Sequence, residues 1–293
     1  MNLLLLLSLA AADPMLVAPV LSDRNDYNLS TDEAQRTLVV ARSDADFRDA
    51  RIMVAARRGR AGMWSEPQQI AFSDDRWSDS DPWLTPDGRT LYFISTRPAP
   101  GREEGRADYD IWRSHRTPTG WSAPEHLGPE VNSRGQELGP ELDGGILYFS
   151  SARRSGKGGL DIYRAAATAD GFAPATLLEG PFNTAASESD FTLRPDGAAA
   201  LFWRSGEGGT AAIHISYKTG SGWSEPAPLP ATINHGPFNF TPAFTRGGRF
   251  ITYASTKARK GQEAGLADVY TVPLPAQPVS APQAVTPPPP ARR

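Results

Sequence analysis

Four stretches of this chain are copies of one another. SDPWLTPDGRTLYFISTR (80–97) recurs as LGPELDGGILYFSSAR (138–153), SDFTLRPDGAAALFWR (189–204) and FTPAFTRGGRFITYAS (240–255), and a degenerate first copy, DYNLSTDEAQRTLVVAR, occupies 26–42. Each copy is followed by a short β-branched or aromatic run: RIMV at 51–54, DIW at 110–112, DIY at 161–163, IHI at 213–215 and DVY at 268–270. Four copies then carry Gly and an aromatic residue, with Trp121, Phe172 and Trp223 each 51 residues apart. Asn132, Asn183 and Asn234 keep the same spacing of 51. A period held that tightly marks a repeat architecture.

Each unit reads as four short strands separated by Gly and Pro-Asp-Gly turns. With 27 Gly and 27 Pro in 293 residues the chain is punctuated too often for a helical protein, while 39% hydrophobic residues suffice for a core. A meander of about fifty residues cannot bury both of its faces alone, so its neighbours must stack on it. The solution that also removes exposed edges is a closed ring, an all-β propeller of five blades with four antiparallel strands each. The fifth copy ends after its third strand, at 268–271. Residues 16–21 resemble the outer-strand runs at 127–132 and 178–183, so an N-terminal outer strand is expected to complete the last blade.

The repeat TPDGRTLYF…DIW…GWSAPEHLG…VN resembles the TolB-like, WD-type propeller repeat of bacterial envelope proteins, over about residues 16–275. The Pro-Asp-Gly turn stands at 86–88 and 195–197, and decays to Gly-Gly at 144–145 and 247–248. TolB itself is similar only in its propeller half, since it adds an N-terminal α/β domain and has six blades. The resemblance implies a binding or scaffold module in the cell envelope.

The ends suggest a compartment. Residues 1–12 form a short apolar run closing on Ala10-Ala11-Ala12, which reads as a secretory signal peptide and is too short to span a membrane. The propeller is expected over 13–275, and residues 276–293 read as a Pro-rich disordered tail. The net charge of −3 argues against nucleic acid as a partner, and the absence of Cys excludes thiolate chemistry and disulfides. The expected partner is therefore an envelope protein or a glycan, met by a monomer.

Catalytic signatures are sparse. There is no GxSxG elbow, no HExxH and no motif for a cofactor, and the four histidines fall in different blades or strands. The polar signal lies at the start of the first strand of each repeat. Arg24, Asp79, Glu137, Glu188 and Asn239 stand five residues before the apolar anchor. Asp26, Asp81, Gly139, Asp190 and Thr241 stand three before it. Arg42, Arg97, Arg153, Arg204 and Lys257 close the second strand, so each blade can pair an acid with a cation. Either these pairs form a structural belt, or Asp79, Asp81, Glu137, Glu188 and Asp190 ring a channel mouth with Asn132, Asn183, Asn234 and an exposed Trp77 to bind a ligand. The reading taken is a non-catalytic module that binds a protein or glycan. The alternative is a five-bladed glycoside hydrolase using the mouth carboxylates.

Overall fold

The computed structural model describes residues 13–59, 61–101, 108–259 and 265–275. The leader expected at 1–12 and the tail expected at 276–293 lie outside the described residues. Five antiparallel sheets form the blades of a propeller, as the repeat count requires. From the inside outward, blade 1 comprises Asn25–Thr31, Thr37–Ser43, Arg51–Ala56 and Gln68–Gln69. Blade 2 comprises Asp79–Leu84, Thr90–Ser95 and Asp110–Thr117, with a split outer strand, Gly120–Trp121 and Glu125–His126. Blade 3 follows with Glu137–Asp143, Ile146–Ser151, Asp161–Thr168, Gly171–Phe172 and Thr176–Leu177. Blade 4 has Glu188–Leu193, Ala199–Ser205, Ala211–Thr219, Gly222–Trp223 and Ala227–Pro228.

Blade 5 is built from both ends of the described chain. Asn239–Thr245, Phe250–Ser255 and Asp268–Pro273 take Met15–Leu16 as the outer strand, with Met15 opposite Thr271 and Leu16 opposite Tyr270. The outer strand is shorter than expected because Pro19 falls in a 3-10 turn, Ala18–Val20. Proline has no N–H for the ladder, and its fixed φ suits a turn. Val17 N–H still reaches the Val269 carbonyl at 2.9 Å, and Val20 is fully buried. Removing residues 13–22 strips the main-chain bonds and an anchor whose burial contributes about 1.5–3 kcal/mol. The truncated chain should melt roughly 5–10 °C lower, measured by calorimetry. Melting at the full-length temperature would contradict closure by this segment.

The core is a set of apolar seams between blades, since each sheet is apolar on both faces. Phe93, Leu91 and Leu84 pack with Val39 and Ile52 between blades 1 and 2; Phe149, Tyr163 and Ile111 fill the next seam. Val20, Leu29, Val40 and Val269 seal the ring between blades 5 and 1. The Pro-Asp-Gly turn works as its chemistry predicts: Asp87 accepts the Thr85 hydroxyl at 2.6 Å and the Arg89 N–H at 3.0 Å, and Gly88 takes φ +70°.

Every innermost strand carries a β-bulge, and that bulge positions the central site. The register shifts in all five, and the bulged residue has positive φ: Asn28, Asp81, Gly139, Asp190 and Thr241, between +48° and +56°. Four of the five are not glycine, a strain of about 1–3 kcal/mol each that surrounding bonds must hold. Here the first copy departs from the expected alignment. Asp26, not Arg24, takes the place of Asp79, and Asn28, not Asp26, takes that of Asp81.

Candidate functional site

The first acidic ring is spoken for. Asp79, Glu137 and Glu188 are fully buried, and so is Asp26. Arg97 binds Asp79 through both terminal nitrogens, Arg153 meets Glu137 at 3.3 Å, Arg204 meets Glu188 at 2.8 Å and Arg42 meets Asp26 at 2.7 Å. Serine and threonine hydroxyls fill further lone pairs, as Ser133 and Ser151 do on Glu137. Burial pushes the Asp79 and Glu137 carboxyls up even beside their arginines. Each arginine also donates to a carbonyl in the segment that follows the preceding blade's outer strand: Arg97 to Phe72, Arg153 to Val131, Arg204 to Phe182 and Arg42 to Val20. In blade 5, Asn239 replaces the acid, and Arg259 binds Asp268 at 2.8 Å and the Ser22 carbonyl. The belt therefore ties blade to blade.

The asparagines are tied in the same way. Asn132, Asn183 and Asn234 each accept the N–H and donate to the carbonyl of one residue in the third strand, Ile111, Ile162 and Ile213, at 2.7 and 3.0 Å. Trp77 is half-buried under the Arg76 guanidinium, 5.4 Å from its ring centre. These seven predicted positions lie outside the wall of the central cavity.

Asp81 and Asp190 do line it. A cavity of about 960 Å³ runs along the propeller axis from the bulge ring to the hairpin turns joining first and second strands. It therefore faces away from the strand starts where the sequence analysis placed the mouth. On the other side of the ring, Tyr27, Phe47, Phe238, Phe240 and Trp203 pack with centroids 4.9–5.7 Å apart and fill the axis. Bulge side chains lace the ring together. Asp81 accepts the Gly139 N–H and Asp190 the Thr241 N–H, each at 3.0 Å, while Thr241 accepts the Asn28 N–H at 3.3 Å. Trp203 Nε1 also donates to Asp190 at 2.6 Å.

One step further along the strands stand Ser30, Trp83, Glu141, Thr192 and Ala243, a single carboxylate among them. Glu141 accepts the Thr192 hydroxyl at 2.9 Å, and the Trp83 indole also reaches it. Sequence reasoning missed Glu141 because it followed acids that recur; the available signal was the opposite, an acid present in one copy alone. Among the described residues, none of Asp81, Glu141 and Asp190 has an arginine or lysine partner. Burial raises all three carboxyls, Glu141 to about 8 and Asp190, with the charge of Asp81 adding to the effect, to about 7. No cluster of metal-ligating side chains occurs among the described residues.

Gly139 is the ring's steric gap. A Cβ there would collide with the Asp190 carboxylate, and φ is +54°. Gly139→Ala should destabilise the fold by about 1–3 kcal/mol, read by denaturant unfolding; an unchanged midpoint would show that the ring yields.

No protein-family model matches the chain, and no curated protein matches it in sequence. Solved structures do share the fold. An α-L-arabinofuranosidase from Lactobacillus brevis superposes with a TM-score of 0.58 at 11% identity, covering 88% of this chain and 92% of that one. A thermostable family-43 glycoside hydrolase gives 0.56 at 11%, covering 90% and 94%. TolB from Acinetobacter baumannii gives 0.51 at 14%, covering 87% of this chain, which spans only 56% of TolB's length. The expectation of a non-enzymatic module needs correction on this point. Propellers matched nearly end to end include glycoside hydrolases, and carboxylates without arginine partners face the open cavity. Among the described residues no helix is long and apolar enough to cross a membrane.

Proposed function

We propose that this chain is a glycoside hydrolase whose substrate enters the central cavity. The observation that carries the reading is Glu141, one carboxyl that breaks the repeat, lodged beside an indole on the cavity wall. A substrate is asymmetric, so residues that act on it should differ between blades, whereas belt residues recur. The similarity to glycoside hydrolases of the same propeller fold supports the reading; the similarity to TolB supports the fold alone.

The chemistry follows from the environments. Glu141, held near 8, is protonated at neutral pH and donates its proton to the leaving glycosidic oxygen as the bond to the anomeric carbon breaks. Asp81 and Asp190 resist double ionisation because like charges share a buried ring. Once singly ionised, the pair takes a proton from water while the water oxygen bonds to the anomeric carbon. Trp83 offers its ring face to the sugar. The kcat/KM profile should therefore rise through about 7 and fall above about 8, the limbs set by Asp190 and Glu141.

The test is release of reducing ends from a panel of plant and bacterial polysaccharides, including arabinofuranosyl substrates. Release by the wild-type chain that Glu141→Gln abolishes supports the reading. Binding of oligosaccharide without release contradicts it.

A further inference from the structure

The basic side chains of the cavity wall gather on one side. Glu141 and Asp143 belong to blade 3, while Arg57 of blade 1 and Arg246 and Arg249 of blade 5 line the opposite arc. None of the three arginines has a carboxylate partner among the described residues, whereas the belt arginines all do. Asp32 and Glu33 share that arc, and Asp32 turns its carboxylate onto the Arg36 and Thr37 N–H groups at 2.7 and 2.8 Å.

Arg57 departs from its repeat. Arg116 in blade 2 and Lys218 in blade 4 hold the equivalent position and stack on the tryptophans of their own blades, Trp121 and Trp223, yet neither lines the cavity. Arg57 stacks on Trp64 at 4.5 Å, and Gln35 fixes it by two bonds, Nε to the carbonyl at 2.6 Å and Nη2 to Oε1 at 2.7 Å. Gln35 has φ +53°, a strained conformation for a non-glycine residue. An immobilised guanidinium whose Nη1 carries no hydrogen bond among the described residues suits a planar carboxylate.

We propose that the substrate is an acidic glycan, with a uronate carboxylate seated on Arg57 and steadied by Arg246 and Arg249. This rests on the glycan reading of the cavity and adds the orientation. The anionic sugar lies toward blades 5 and 1, and the scissile oxygen lies toward Glu141 in blade 3.

The experiment measures binding by calorimetry of a panel of uronate oligosaccharides and their carboxyl-reduced, neutral counterparts, to the full chain and to Arg57→Ala and Arg57→Lys. Expected is at least tenfold tighter binding of one charged oligosaccharide over its neutral counterpart. Arg57→Ala should erase that preference, Arg57→Lys should restore part of it, and the neutral sugar should bind all three alike. Added salt should weaken the charged ligand alone. Equal affinity for charged and neutral forms, or a preference that survives Arg57→Ala, overturns the acidic substrate while leaving the glycan site standing. No binding of any oligosaccharide overturns both.

Discussion

Glu141→Gln should lower kcat/KM by about 10²–10⁴-fold, the usual contribution of a positioned general acid, while the protein stays folded. The amide keeps the shape and still accepts from Thr192, but has no proton to give. Stability should separate this from simple damage. The Glu141 carboxyl is raised in the folded state, so the unfolded chain ionises first as pH rises. Its contribution to stability is full below the ordinary glutamate range and is lost as pH climbs toward about 8. The variant lacks that loss, and at pH 8 it should be at least as stable as the wild type by denaturant unfolding. A variant that is inactive and also much less stable at pH 8 would make Glu141 a structural group.

The second large effect lies in the belt. Arg153→Ala leaves Glu137 fully buried with two serine donors and no cation, and also strips a bond to the Val131 carbonyl and the guanidinium packing 4.6 Å from Tyr163. Removing one partner of a buried pair costs about 3–5 kcal/mol, so the melting temperature should fall by roughly 10 °C. Ligand affinity of the variant at low temperature, where it remains folded, should be unchanged, because the belt lies outside the cavity wall. Lost affinity with an intact melting temperature would return Glu137 to the binding site.

Blade number, strand order and N-terminal closure were legible because a 51-residue spacing of Trp and Asn positions is a global property that local exceptions do not blur. The acid–arginine pairing was legible for the same reason. The direction of the cavity was not. It depends on the bulge in each inner strand, which turns Asp81 and Asp190 onto the axis two residues beyond their belt neighbours, and on five aromatics from four separate segments filling the other side. A bulge carried by Asp or Thr instead of Gly leaves little trace in sequence. Glu141 was hidden for a related reason, since reading by repeat favours what recurs and passes over the side chain that does not.

The most direct measurement is a crystal structure of Glu141→Gln soaked with an oligosaccharide that the wild-type chain cleaves. The sugar should lie in the axial cavity, its ring against Trp83 and its scissile oxygen beside the residue-141 amide. A sugar found instead at the opposite mouth, against Trp77 and the Asn132, Asn183 and Asn234 turns, would contradict the assignment of the site.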